Sequence, residues 1–544
     1  MTNINRRGFL GVATLGTAVA LARPVVALAT EQANEAAAPP HAVPPSELDE
    51  LTVTQLQEGF ASGRWSARSL AEAYLARIDA IDKRGPAINA VIELNPDALS
   101  IADALDRERK ERGARGPLHG IPILIKDNID THDRMHTTAG SLALADNIAP
   151  RDSFVAARLR EAGCVILGKT NLSEWANFRS THSTSGWSGR GGLTRNPYAL
   201  DRNACGSSSG TGAAIAANLA AIGIGTETDG SIVCPSSASG LVGLKPTVGL
   251  ISRAGIIPIS HSQDTSGPMV RSVRDAAILL GALTGVDERD PQTLASRKHA
   301  LTDYTKFLDA NGLKGARIGV ARQYFGFNDR VDKLMHEAID AIKQLGATIV
   351  DPADIATNGK FDATENDVLQ FEFKADLNKY LAGLDANVKP RTLADLIRFN
   401  EEHADAEMPY FGQETFIQSE KRGPLTSAKY KKALANNHRK ARTEGIDATM
   451  KKHKLDALIA PTGGPVWPTD LVNGDHFTGG YSSASAVAGY PHITVPAGLI
   501  FGLPVGLSFF AGAWSEPTLL KFAYAFEQAT KRRQAPRFLA TIGV

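Results

Sequence analysis

Two short runs of branched apolar residues, Ile123 to Ile125 and Val165 to Leu167, each end against polar residues in "GIPILIKDNID" and "AGCVILGKT". They read as buried strands. Between them, Asp152 to Ala162 carries Val155, Leu159 and Ala162 on one face and stops at Gly163, which predicts a helix with a glycine C-terminal cap. Strand, helix, strand is the pattern of an α/β fold, and it narrows the architectures open to the chain more than any other feature.

The pattern recurs. "ARIGVA" precedes Val331, Leu334, Met335, Ala338, Ile342 and Leu345 at helical spacing, and "GATIV" follows, predicting a second βαβ unit. Near the start, Leu70, Tyr74, Ile78 and Ile81 form a helical stripe that Ser66 is placed to cap. From about 352 to 450 the chain is richer in charge and helix formers, as in "FEFKADLNKYLAGL", and reads as a helical cap or lid. Short strands return at "LDALIAPT", "HITVPAG" and "GLSFF".

The balance of 59 basic against 58 acidic residues leaves a formal charge of +1, which gives no electrostatic footprint for nucleic acid. The first residues carry Arg6-Arg7, a moderately apolar stretch to Ala22 and then Ala27-Leu28-Ala29, the form of a twin-arginine signal peptide over residues 1–29. Its uncharged run from Gly8 to Ala22 is 15 residues, short of the roughly 20 a spanning helix needs, so no stable membrane anchor is expected. Residues 30–50, rich in Ala and Pro, read as a flexible leader. The expectation is a periplasmic or secreted protein that meets the export machinery only in transit. Three cysteines, Cys164, Cys205 and Cys234, give no disulfide framework and read as small buried apolar side chains, although Cys205 and Cys234 could lie near each other.

Gly206-Ser207-Ser208-Ser209-Gly210 matches the G-x-S-x-G elbow, but "RNPYALDRNAC" before it is a polar loop and not the strand that elbow requires. The histidines available to such a triad are His476 and His492. A phosphate loop would need Lys and Ser/Thr after the last glycine, where Ala213 and Ala214 stand. His132 to His136 mimics a zinc helix, yet Asp replaces the catalytic Glu and no helical stripe carries it, so both histidines are expected in a loop.

A second glycine-serine site, "TETDGSI", changes the reading. Together with "CGSSSGTGAA" and the lysine segment "GIPILIKDNI", it resembles the amidase signature family, over roughly Leu70 to Gly285 and the strands after Leu455. The resemblance implies an α/β/α sandwich around a large mixed sheet and an amidase domain over 51–540; with no other His/Cys grouping at ligand spacing, no cofactor and no metal are expected. It assigns Ser231 as the acylated serine, Ser207 as a relay serine in a cis peptide, and Lys126 as the base. Ser208 and Ser209 are expected to bond the loop backbone. The family often has Gly-Gly before the nucleophile and Arg two residues after it. Here Asp229-Gly230 and Val233 hold those positions, and Glu227 stands where Asp is common, where it is expected to orient the turn.

Serine attacks only when a base takes its proton, and an ordinary lysine, with a pKa of about 10.4, is charged at neutral pH. Making Lys126 neutral requires burial worth about 4 kcal/mol, which the apolar run before it could supply. Thr228, Asp229, Gly230 and Ser231 offer successive backbone N–H groups for the oxyanion. The expected substrate is a small-molecule or peptide amide, most similar to those of peptide amidases, which remove C-terminal amides. A broad aliphatic or aryl amidase and an exported peptide-binding protein are the alternatives.

Overall fold

The run Ile123 to Ile125 forms the centre of a strand, Pro122–Lys126, in which every residue is buried. Val165–Thr170 lies parallel beside it, with Ile123 opposite Ile166. The connection is the helix Phe154–Glu161, capped by Ser153 and closed where Gly163 adopts φ +80°. The computed structural model describes residue 43 and residues 45–542. The signal peptide expected over residues 1–29 lies outside the described residues.

Eleven strands form one mixed sheet. Named by first residue, their order is 91, 165, 122, 222, 265, 242, 492, 503, 457, 317 and 348. Strands 165, 122 and 222 run parallel, as do 457, 317 and 348 at the other end, with antiparallel ladders between them. The second βαβ unit is Arg317–Val320, the helix Asp329–Gln344 and Thr348–Val350. The stripe Leu70, Tyr74, Ile78 and Ile81 is buried, and Ser66 caps the helix Ala67–Arg77 through a capping box.

Between Asp362 and His453 the chain is helical with no strand. Phe373, Leu377 and Leu381 of the helix Asp362–Ala382 pack with Ala139, Trp175 and Ile259, so this helix leans on loops beside the sheet. The expected leader boundary at residue 50 is too late: Leu48 is already buried, and Glu50 pairs with Arg533 at 2.6 Å. The cysteine expectation is also corrected. Cys205 and Cys234 form a disulfide, with Cα atoms 6.0 Å apart, while Cys164 stays free and buried. No described helix is long and apolar enough to cross a membrane.

Candidate active site

Parallel pairing of Pro122–Lys126 with Ile222–Glu227 sets Ile125 opposite Ile224, so both strands end at the same edge and deliver Lys126 and Thr226 side by side. Lys126 is fully buried, and its Nζ donates to Ser207 Oγ at 2.8 Å, Thr226 Oγ1 at 2.9 Å and the Thr226 carbonyl at 3.3 Å. Asn128 Nδ2 donates to the same Thr226 hydroxyl at 3.0 Å. The three consecutive serines diverge from this point. Ser207, reached through a cis Gly206–Ser207 peptide, faces the lysine. Ser208 Oγ donates to the Thr226 carbonyl at 3.0 Å and accepts the Thr226 N–H at 3.2 Å, pinning the loop to the strand. Ser209 begins the helix Ser209–Ala216 with its hydroxyl 3.4 Å from Ser173 Oγ. Gly206 has no room for a side chain, because a Cβ there would sit 2.2 Å from Ser173 Oγ.

Ser231 follows a tight turn in which Gly230 takes φ +79°, a left-handed conformation that suits glycine. Glu227 closes that turn from below: its Oε2 accepts the N–H groups of Ile232 at 2.7 Å and Val233 at 3.0 Å. Among the described residues, the N–H groups of Asp229, Gly230 and Ser231 donate to no protein acceptor, leaving three adjacent donors at the Ser231 turn. Two flanking contacts hold the turn sideways. Thr228 Oγ1 donates to Asp264 Oδ1 at 2.6 Å, and Ser483 Oγ donates to Asp229 Oδ2 at 2.6 Å. The second contact comes from the helix Ser483–Ala488, which precedes the strand His492–Ile500. Ser208 N–H donates to the Ser231 carbonyl at 3.2 Å, joining the two serine loops backbone to backbone. Among the described residues, the Oγ atoms of Ser207 and Ser231 are not hydrogen-bonded to each other.

Burial pushes the Lys126 ammonium down to about 7, against the pull of Asp264 and Glu227, so the neutral amine is populated near neutral pH. Burial also raises Asp264 to about 6, although Thr228 and the N–H groups of Ser260 and Ile259 oppose it. The histidines stand elsewhere. His492 is buried with Nε2 2.6 Å from Ser508 Oγ, and burial followed by the nearby Lys245 charge pushes it to about 3. His476 lies 3.3 Å from Asp470. His132 bonds the Ala149 carbonyl and His136 bonds Glu93, in a loop and not on a helix. His261, Glu372 and Asp376 do converge, from segments too distant for sequence spacing to reveal, but His261 pairs with both carboxylates and Glu372 also accepts from Ser260, Ser262 and Tyr430.

A cavity of about 310 Å³ opens beside Thr226 and Thr228, with Asn128, Ile257, Tyr380 and Leu384 in its wall. Tyr380 belongs to the helix Asp362–Ala382, so the helical segment supplies part of the cavity wall. Thr226, Asn128 and Asp264 were not singled out by sequence reasoning. Asn128 could have been, since it stands within the lysine motif, whereas Asp264 reaches the site only through the fold.

A buried lysine hydrogen-bonded to one serine, beside a second serine in a turn of free N–H donors, can deprotonate a hydroxyl and hold an oxyanion. Residues 69–520 match the family model described as Amidase. The chain is 50% identical to the native peptide amidase of Stenotrophomonas maltophilia, with a TM-score of 0.86, covering 91% of this chain and 100% of that one. It is 42% identical to a probable amidase of Arabidopsis thaliana, over 91% of this chain and 92% of the relative. It is 36% identical to an amidase family protein from Bacillus anthracis, with a TM-score of 0.82, covering 90% of this chain and 93% of that one.

Proposed function

This chain belongs to the amidase family, and on that premise we propose that it hydrolyses the C-terminal amides of peptides, giving peptide acid and ammonia. One observation carries the mechanism: the buried Lys126 amine lies 2.8 Å from Ser207 Oγ. Neutral Lys126 takes the proton of Ser207, which takes that of Ser231 as the Ser231 oxygen adds to the amide carbon. This relay requires substrate binding to bring the two serine hydroxyls within hydrogen-bonding distance. Charge developing on the carbonyl oxygen is received by N–H groups of the turn Thr228 to Ser231. Ammonia departs with a proton returned through Ser207, and water then hydrolyses the ester on Ser231.

Similarity to the Stenotrophomonas peptide amidase supports the substrate class. Chemistry adds a demand: the oxyanion donors grip only the scissile carbonyl, so choosing a terminal amide over an internal peptide bond requires a closed pocket that admits ammonia and no further residue. The test compares ammonia release from a blocked peptide amide, a simple aliphatic amide and an aryl amide, with chromatography watching for internal cleavage. Preference for the peptide amide is expected. Faster turnover of the simple amides would instead make it a broad amidase, and internal cleavage would remove the closed-pocket argument.

The proposed site of action is periplasmic or extracellular, reached through the twin-arginine signal with Arg6 and Arg7 as the recognised pair. Replacing both by lysine is expected to leave active precursor in the cytoplasm, and unimpaired export would overturn this proposal.

A further inference from the structure

We propose that the Cys205–Cys234 disulfide is a positioning device for catalysis, and that its reduction switches the enzyme to a slow form without unfolding it. The inference rests on the assignment of Ser207 and Ser231 as relay and nucleophile. Cys205 stands two residues before Ser207 and Cys234 three residues after Ser231, with Cα atoms 6.0 Å apart. The covalent ring therefore encloses both serines, the helix Ser209–Ala216 and the strand Ile222–Glu227. Its two ends lie next to the chemistry. The Cys234 N–H donates to the Gly230 carbonyl at 2.8 Å, within the nucleophile turn, and the Cys205 N–H is held by Asn203 Oδ1 at 2.7 Å.

The two serine hydroxyls are not hydrogen-bonded to each other, so their alignment in the substrate complex depends on how firmly one loop is registered on the other. Among the described residues, one hydrogen bond and one covalent bond run directly between the two serine loops: the 3.2 Å bond from Ser208 N–H to the Ser231 carbonyl, and the disulfide. Thr226 and Lys126 fix Ser207 and Ser208 to the sheet, and Glu227, next along the same strand as Thr226, fixes the far end of the nucleophile turn, so opening the disulfide leaves each loop folded on the strand while the direct link between them falls to one hydrogen bond. A misplacement of about 1 Å between reacting groups is enough to cost about a hundredfold in rate.

The bond can be reached. Cys234 is partly exposed whereas Cys205 is buried, so on this proposal a dithiol approaches from the Cys234 side. One thiolate of the dithiol attacks Cys234 Sγ, the sulfur–sulfur bond breaks, and Cys205 leaves as a thiolate that takes up a proton. The second thiolate of the reductant then closes its own ring and releases Cys234 as a thiol, so two electrons and two protons pass to the protein. Glutathione disulfide reverses the change.

The full chain is assayed oxidised and after dithiothreitol treatment, with thiols counted by alkylation and mass spectrometry and folding followed by circular dichroism. Two rates are read: turnover of a peptide amide, and labelling of Ser231 by a fluorophosphonate, with Ser231→Ala as background. Reduction is expected to lower kcat and the labelling rate at least tenfold while KM changes less than threefold, and glutathione disulfide is expected to restore both. The double variant Cys205→Ser/Cys234→Ser should be slow under either condition. A folded, reduced enzyme or double variant within twofold of the oxidised kcat and labelling rate overturns the inference alone. Rate loss that only follows the fraction unfolded also overturns it, because the disulfide is then structural. Label persisting in Ser231→Ala overturns the assignment of the nucleophile, and this inference with it.

Discussion

The Nζ of Lys126 lies 2.8 Å from the Oγ of Ser207, and both residues are sealed from solvent. Burial holds the lysine pKa down to about 7, and in the proposed mechanism the short contact sets the direction in which its neutral amine takes a proton.

The pH dependence follows. Lys126 is pushed down to about 7 by burial, so its charged form predominates below that pH and cannot accept a proton. kcat/KM should fall about tenfold per pH unit on the acidic side of 7 and level off above it. Lys126→Ala should cost several orders of magnitude and abolish this acid limb. A limb governed by His492 would contradict the account, since burial and Lys245 keep that ring neutral down to about pH 3.

The same lysine has a signature in stability. Between about pH 7 and about 10.4 the unfolded chain holds a proton on this side chain that the fold does not, so stability should rise with pH across that window. Lys126→Met should flatten that rise and raise the melting temperature at pH 7. Denaturant melts of the two proteins from pH 7 to 10 read the difference.

Glu227 supports the nucleophile turn by accepting two backbone N–H groups through one oxygen. Glu227→Ala leaves both donors buried and unpaired, which should destabilise the protein by about 2 kcal/mol. Because the turn is proposed to supply the oxyanion donors, kcat should fall at least tenfold with KM changed less than threefold. Unchanged kcat in a folded variant would separate this carboxylate from the oxyanion turn.

Chelation offers a control on the chemistry. His132 and His136 are engaged with the Ala149 carbonyl and Glu93 respectively, and the proposed mechanism draws only on Lys126 and the two serine loops. Prolonged dialysis against EDTA should leave turnover unchanged, and His132→Ala should be mild. Activity restored only by added zinc would contradict the mechanism.

The strands Pro122–Lys126 and Val165–Thr170 were legible in the sequence because branched apolar side chains fill them. Ile222–Glu227, Val242–Lys245 and Thr265–Val270, which pair with one another at the centre of the sheet, were not read as strands. Glycine interrupts them for packing reasons that only the fold reveals. A Cβ on Gly225 would meet Met269 Sδ at 2.5 Å and Ser208 Oγ at 2.8 Å, so the serine loop can lie on the strand only where the side chain is absent. Lys126, Ser207 and Ser231 were found through the resemblance of three motifs. Thr226 and Asp264 escaped because their contacts are made by neighbouring strands and a distant loop. The Cys205–Cys234 pair escaped for the same reason, since 29 residues of sequence separation do not set a distance in space.

The central claim is that Ser231 carries the acyl group and that Lys126 activates it through Ser207. Its most direct test is to react the enzyme with a fluorophosphonate at pH 8, digest it and locate the adduct by mass spectrometry. The account predicts a single adduct on Ser231, formed at least a hundredfold more slowly in Lys126→Ala and lost in Ser231→Ala. An adduct on Ser208 in the native enzyme, or undiminished labelling after Ser231→Ala, would contradict it.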